Sequence, residues 1–252
     1  MSHRYLIFGA TGGIGSALAR HLASQGHKLA LSGRNTDRLS ALKAETGGIA
    51  LAGDVLDWKT TQSIVESAQE ELEGLDGVAC CIGSILLKPA HLTTQEQYEA
   101  IVSNNLTTSF GIVKAATKAL FTSGGSIVLT ATAAAQTGIA NHEAIAAAKA
   151  GVIGLTQSAA ATYAPRGIRL NCVAPGLVET PLSAPILSNP AGRLASEQMH
   201  PLGRLGNADE VARSIAWLLS PDQSWITGQT LAVDGGLSTL RTKARTATNR
   251  PN

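Results

Sequence analysis

Apolar residues in this chain fall into short continuous runs, separated by longer stretches in which they recur every three or four positions. The runs YLIFG (5–9), KLALSG (28–33), IALAGDV (49–55), GVACCIG (77–83), GSIVLTA (125–131), IRLNCVAP (168–175) and TLAVDGG (230–236) predict seven strands. Their lack of apolar/polar alternation predicts strands buried on both faces, as in a parallel sheet covered by helices. Segments such as SALARHLASQG and TTQSIVESAQEELEG predict the covering helices. Strand–helix alternation with right-handed crossovers then gives an α/β fold with a doubly wound parallel sheet. No linker or repeat interrupts the rhythm, so residues 1–240 read as one domain. Residues 241–252, with Arg241, Lys243, Arg245 and Arg250, read as a basic, solvated tail.

The longest helical pattern begins near Asn141, a suitable N-cap, with Glu143 in the first turn. It runs to about Tyr163 and is stopped by Pro165. Ala146, Ala147, Ala148, Ala150, Gly151 and Gly154 make it thin, so another backbone can approach closely.

Composition narrows the function classes. The 252 residues are 44% hydrophobic and 15% charged, enough to bury a core. A net charge of +2 gives no reason to expect a nucleic-acid or membrane-surface partner. No apolar run reaches the roughly 18 residues of a membrane span, and the chain enters a strand at once, so no signal peptide is expected. Cys80, Cys81 and Cys172 are few and sit among apolar residues, which suits a reduced, cytoplasmic protein. The six histidines are scattered, so no metal site is expected.

The first strand runs into FGATGGIGSALA, where Gly9, Gly13 and Gly15 follow the spacing GxxxGxG. Glycines there permit a tight turn and let a pyrophosphate approach the positive end of the next helix. The second strand ends LSGRN. Gly33 leaves room where an acid would bind ribose hydroxyls, and the Arg34 guanidinium suits a 2′-phosphate. NADP(H) is therefore expected rather than NAD(H). Asp54, ending the third strand in GDV, can accept from the adenine amino group.

With these pieces the chain resembles the short-chain dehydrogenase/reductase family over about residues 4–240. The matching segments are FGATGGIG, GDV (53–55), NNL (104–106), GSIVLTATAAA (125–135), AIAAAKAG (144–151), NCVAPGLVETP (171–181) and TGQTLAVDGG (227–236). The resemblance implies a Rossmann-type fold and hydride transfer between a nicotinamide and a small carbonyl or alcohol. It places the cofactor on Gly9, Thr11, Gly13, Ile14, Gly15, Arg34, Asp54, Val55, Gly83 and Lys149. Pro175, Gly176, Val178 and Thr180 match the segment beside the nicotinamide carboxamide. Of the family's four reacting-end residues, the Asn aligns with Asn105, the Lys with Lys149 and the Ser with Thr132, Thr130 being the alternative. The Tyr, four residues before the Lys, aligns with Ile145. The usual NNAG after the fourth strand reads Cys80-Cys81-Ile82-Gly83, and Phe8 stands where a Thr is common.

The family tyrosine is a general acid tuned by the lysine one helical turn away. Ile145 cannot protonate an alkoxide, and general acid catalysis is worth about 10²–10⁴-fold, or roughly 3–5 kcal/mol. His142, Ile145 and Lys149 are spaced i, i+3 and i+7 on one helical stripe, which makes His142 the candidate substitute donor. Two readings follow: an oxidoreductase of non-standard active site, or a catalytically silent NADP(H)-binding relative acting as a sensor or subunit partner. Substrate choice is expected in residues 182–206, whose Pro, Gly and Ser content predicts a mobile lid. Its apolar members, Leu182, Ile186, Leu187, Leu194 and Met199, point to a non-ionic substrate. The resemblance also implies a homotetramer or homodimer, through helices at about 96–121 and 142–163 and the strand near 230–236.

Overall fold

In β1 (Arg4–Phe8), Leu6 and Phe8 enter one core layer while Tyr5 and Ile7 enter the other, and all four are buried. This two-sided burial is why the strand sequences are continuously apolar. The computed structural model describes residues 2–241; Lys243, Arg245 and Arg250 of the basic tail lie outside them. After β1 come α1 (Gly13–Ser24), β2 (Lys28–Gly33), α2 (Thr36–Thr46), β3 (Ile49–Ala52), α3 (Trp58–Glu71) and β4 (Gly77–Cys80). Then follow α4 (Gln95–Val102), α5 (Thr108–Ala119), β5 (Gly125–Thr130), α6 (Glu143–Tyr163), β6 (Ile168–Pro175) and β7 (Val178–Glu179). The order closes with α7 (Ala184–Leu187), α8 (Pro190–Met199), β8 (Gly206–Asn207), α9 (Ala208–Leu219) and β9 (Thr230–Val233).

Seven strands pair in parallel in the order β3-β2-β1-β4-β5-β6-β9. One core layer takes apolar side chains from α3, α5 and α6, the other from α1, α2 and α9. The expected doubly wound Rossmann-type sheet is therefore present. Its topology reverses between β1 and β4, and the crevice beyond the carboxyl ends of those strands is where such sheets bind ligands.

Three local expectations are corrected. The third, fourth and seventh strands end at Ala52, Cys80 and Val233, because residues 53–55 and 81–83 leave the sheet and Gly235 and Gly236 take φ +59° and +89°. The helix expected at 96–121 is α4 and α5 joined by a π-helical turn, Ser103–Thr107. Asn141 does not cap α6: its φ is +65°, and His142 is the N-cap residue, without a capping hydrogen bond because its Nδ1 pairs back with the Ala140 carbonyl. Residues 182–206, where a mobile lid is expected, contain two helices, α7 and α8, with Pro190 at the α8 start and Asn189 capping Ala191 N.

Helix α6 continues as far as Arg166 and, by length and mean hydropathy (1.2), meets the minimum for a membrane span. Its buried Ala144, Ile145, Ala148, Val152, Ala159 and Ala160 pack inside this fold, which accounts for the hydropathy.

Helix α9 starts in a capping box of Asn207 and Glu210, and Glu210 also pairs with Arg204. The Arg204 hydrogen bond holds the Glu210 carboxyl down to about 2, helped by the Asn207 amide. A carboxyl depressed in the folded state stabilises above its unfolded pKa and loses that contribution as pH falls. Glu210→Gln keeps an amide oxygen for the cap, so it should lower the melting temperature by only about 1–3 °C at pH 7. That difference should shrink between about pH 4.5 and pH 2 and vanish below, as followed by thermal melts across pH.

Candidate active site

Every element that builds the site ends at the same edge of the sheet. The chain leaves β1 through Gly9, whose φ of +73° and closeness to the Cys81 carbonyl (3.0 Å from a notional Cβ) leave no room for a side chain. Gly15 packs α1 onto the turn, where any Cβ would overlap the Gly9 carbonyl. A Cβ on Gly13 would meet Thr180 Cγ2 at 2.6 Å. The α1 N-cap, Gly12, makes no side-chain capping bond, so the first-turn amides remain free to receive an anion.

Around this turn lies a cavity of about 590 Å³. Of the residues expected at the nucleotide, Gly9, Thr11, Gly13, Ile14, Arg34, Asp54, Val55, Gly83 and Thr180 line it. Gly15 supports it from beneath, and Pro175, Gly176 and Val178 lie along the exit of β6 rather than in its wall. Sequence reasoning missed Arg38, Ser84 and Asn104, which line the same cavity. Arg38 stands one turn beyond Arg34, in the helix that Asn35 caps through the Arg38 amide. A second cation at i+4 from Arg34 was the available signal. Both arginines are exposed at the rim.

The reacting end is organised around Lys149, buried on α6. Its Nζ donates to Thr130 O at 2.6 Å and to Ile82 O at 3.3 Å, and burial pushes its pKa down. Asn105, fully buried in the π turn, donates to Ser84 Oγ (3.0 Å) and Ile101 O (2.9 Å), while its Oδ1 accepts from Ser84 N (3.2 Å). A Cβ on Gly83 would sit 3.2 Å from Asn105 Oδ1 and 3.4 Å from Lys149 Nζ, so Asn105, Gly83 and Lys149 converge. The two threonines separate by role. Thr130 Oγ1 donates to Cys80 O at 2.8 Å, tying β5 to β4, whereas Thr132 caps a short 3₁₀ turn and lines the adjoining cavity.

That second cavity, of about 140 Å³, is walled by Thr132, His142, Ile145, Gly176, Leu177 and His200, with Ile85, Leu87, Ile139, Ile186, Met199 and Leu237 completing a mostly apolar lining. No Asp, Glu, Lys or Arg contributes. Ile145 is buried with Ile101, Ala144 and Ala148 behind it. His142 is half-buried, one residue outside the helix proper, yet it shares this cavity with Ile145 and Thr132. Its Nδ1 lies 2.8 Å from Ala140 O. A carbonyl only accepts, so Nδ1 carries the hydrogen and Nε2 of the neutral ring keeps its lone pair. Burial pushes the Cys80 and Cys81 thiols up, which removes thiolate reactivity beside the cofactor cavity. Among the described residues no group of three His, Cys, Asp or Glu side chains is placed to hold a metal.

A doubly wound sheet with a glycine-lined cavity at the carboxyl ends of its strands and a small apolar cavity nearby defines a Rossmann-type protein. A family model described as enoyl-(acyl carrier protein) reductase matches residues 9–238. A short-chain dehydrogenase/reductase of Armillaria gallica is 37% identical over 246 residues, covering 92% of this chain and 94% of that protein. The cis-4-hydroxycyclohexanecarboxylate dehydrogenase of Sinomonas cyclohexanicum is 35% identical over 241 residues, covering 93% and 96%. A solved structure of a variant actinorhodin polyketide ketoreductase with NADPH superposes with a TM-score of 0.89 at 27% identity, covering 95% and 98%. The chain belongs to the short-chain dehydrogenase/reductase family, a family of oxidoreductases that use a nicotinamide cofactor.

The contrast between the threonines is open to measurement. Thr130→Val removes the donor to the Cys80 carbonyl and should cost about 1–2 kcal/mol, a fall of roughly 2–8 °C in melting temperature. Thr132→Val, at a cavity wall, should change melting by less than about 2 °C. Equal losses in calorimetry would mean that the two hydroxyls share one structural duty.

Proposed function

We propose that this protein moves a hydride between NADP(H) and a small, apolar carbonyl or alcohol, with His142 taking the proton-transfer role at a site whose usual acid position is Ile145. The observation that carries this reading is the shared apolar cavity of Thr132, His142 and Ile145 beside Gly176 and Leu177. The nicotinamide, when bound, supplies or accepts the hydride. Thr132 Oγ1, in the lining of that cavity, hydrogen-bonds the reacting oxygen. In the alcohol-oxidising direction, the free lone pair on His142 Nε2 takes the hydroxyl proton. In the reducing direction, the ring must first gain a proton at Nε2, which it then gives to the alkoxide oxygen. Lys149 and Asn105 hold the cofactor side of the site through the backbone at Ile82–Ser84.

The polar groups of the small cavity restrict the substrate. His200 already spends both ring nitrogens within the protein and Ser196 donates its hydroxyl to Gly192 O, which leaves Thr132 and His142 of the polar side chains in the lining. A substrate with a single oxygen function on a hydrocarbon skeleton fits that lining, since an unpaired second polar group would be desolvated at a cost.

Gly33 and the paired Arg34 and Arg38 at the rim support NADP(H) over NAD(H). Arg34→Ala should raise the NADPH dissociation constant about 10–100-fold and leave that of NADH within about threefold, by fluorescence titration. Equal weakening of both would count against a 2′-phosphate contact.

A second reading, a silent NADP(H)-binding sensor or subunit partner, draws on Lys149 being turned to two backbone carbonyls and Ile145 being packed as core. One experiment separates the two. With NADPH deuterated at C4 and a panel of monofunctional ketones and aldehydes, the oxidoreductase places deuterium on the product carbon. His142→Ala should slow that transfer about 10²–10⁴-fold without changing NADPH affinity. NADPH binding with no label in any product selects the silent protein.

Three unpaired cysteines support a reducing, cytoplasmic setting. Exposed Ala147, Ala150 and Gly154 on α6, with Tyr98 and Phe110 on α4 and α5, support a homotetramer or homodimer built on these helices.

A further inference from the structure

We propose that His200 is a positioning residue that couples the lid helix α8 to the Gly176–Leu177 segment at the nicotinamide end of the site. His200 ends α8 as its C-cap and is 4% exposed. Its Nδ1 lies 2.7 Å from the Ser196 carbonyl, one turn back in α8, and so must carry the hydrogen. Its Nε2 accepts from Leu177 N at 3.1 Å. One neutral ring thus closes the last turn of the lid helix and fills the hydrogen-bonding need of a part-buried amide in the wall facing the nicotinamide.

The approach is close enough to dictate a neighbour. A Cβ at Gly176 would stand 2.5 Å from His200 Nε2, so the ring occupies the space a side chain would need. The ring also separates two cavities. It borders the small apolar one, and it borders a second of about 370 Å³ lined by Arg204, Glu210 and Asp234. The remaining anchors of this segment come from elsewhere: Gly176 N donates to Val233 O (3.2 Å), and Gly206 N donates to Leu177 O (3.0 Å). The other link from α8 is the ion pair of Arg193 with Glu179 on β7. Both partners of that pair are near half exposed, so solvent screens it. The buried connection runs through His200.

Moving α8 outward would leave the Leu177 amide without its acceptor, and distorting Gly176–Leu177 would strip the ring of its second bond. Lid position and wall geometry therefore change together. A cofactor that orders the wall should order the lid, and the reverse.

Two variants split the ring's duties. Asparagine reaches only the Nδ1 position, so His200→Asn keeps a donor for Ser196 O and loses the acceptor for Leu177. Glutamine reaches the Nε2 position, so His200→Gln keeps the Leu177 acceptor and loses the helix cap. Two readouts need no substrate: the NADPH dissociation constant, and the rate of tryptic cleavage at Arg193 within α8, with and without NADPH. In the unmodified protein NADPH should slow that cleavage. The Asn variant should weaken NADPH binding about tenfold with cleavage of the free protein near normal. The Gln variant should hold NADPH within about threefold while Arg193 is cut about tenfold faster. In both, protection of Arg193 by NADPH should be lost. Equal changes of both readouts in the two variants would make His200 a structural filler and overturn the proposal, as would undiminished protection in either. The proposal rests on the nucleotide reading above. Failure of the unmodified protein to bind NADPH would refute that reading, and the cleavage contrast in free protein would then decide the latch alone.

Discussion

An ammonium ion taken out of water needs acceptors, and Lys149 finds two in backbone carbonyls, one at the end of β5 and one in the loop after β4. The bonds to Thr130 O and Ile82 O draw α6 against the end of β5 and the exit of β4. No carboxylate pairs with this lysine among the described residues, so burial lowers its pKa and its hydrogen bonds carry the compensation. Much of the site follows from that attachment. One turn earlier on the same helix Ile145 closes the apolar cavity, and just before the helix His142 reaches the same wall. The Ile82 contact fixes the path of residues 82–84, to which Asn105 holds Ser84 from the π turn of the opposite helix.

The layered sheet was legible because burial on both faces leaves a plain trace in sequence. A strand such as YLIF has no polar face to present, and its four consecutive apolar residues divide between two core layers. Strand ends were less legible. GDV after β3 and Cys81-Ile82-Gly83 after β4 follow the strands without a strong turn signal, yet the chain there leaves the sheet to wall the cavity around the first turn. Of these residues only Val55 is buried, so hydropathy alone does not mark where pairing stops. The helix within 182–206 had a local signal that the reading of that segment did not use: Asn189 followed by Pro190 is a helix start, and α8 begins there although none of its ten residues is buried.

Legibility in the site divided along sequence distance. The glycines of the first turn, Arg34 and Asp54 act where they stand in a local pattern, and the structure brings them to one cavity. Counting back from Lys149 favours Thr132 over Thr130; the two side chains separate because β5 ends at Thr130, which bonds the Cys80 carbonyl, while Thr132 lies beyond the strand as the cap of a 3₁₀ turn at the cavity. His200 left no trace. Its role depends on Leu177, more than twenty residues away, and on the missing side chain of Gly176. A histidine at a helix C-terminus is unremarkable until the structure supplies the amide in front of it.

The same hydrogen-bond pattern sets which atom takes part under the proposed chemistry. Ala140 O fixes the hydrogen of His142 on Nδ1, so the neutral ring meets the cavity as an acceptor. Ile145 and Leu177 contribute only hydrocarbon to that cavity. Taking a proton from an alcohol starts from the neutral ring and leaves the imidazolium; giving one to an alkoxide starts from the imidazolium and leaves the neutral ring, so both directions pass through the same two states. A tyrosine in that role is neutral when it donates and anionic when it accepts. A histidine in its place therefore reverses the charge that the site carries at each stage, and the nitrogen that carries it is chosen by one carbonyl oxygen of the loop that precedes α6.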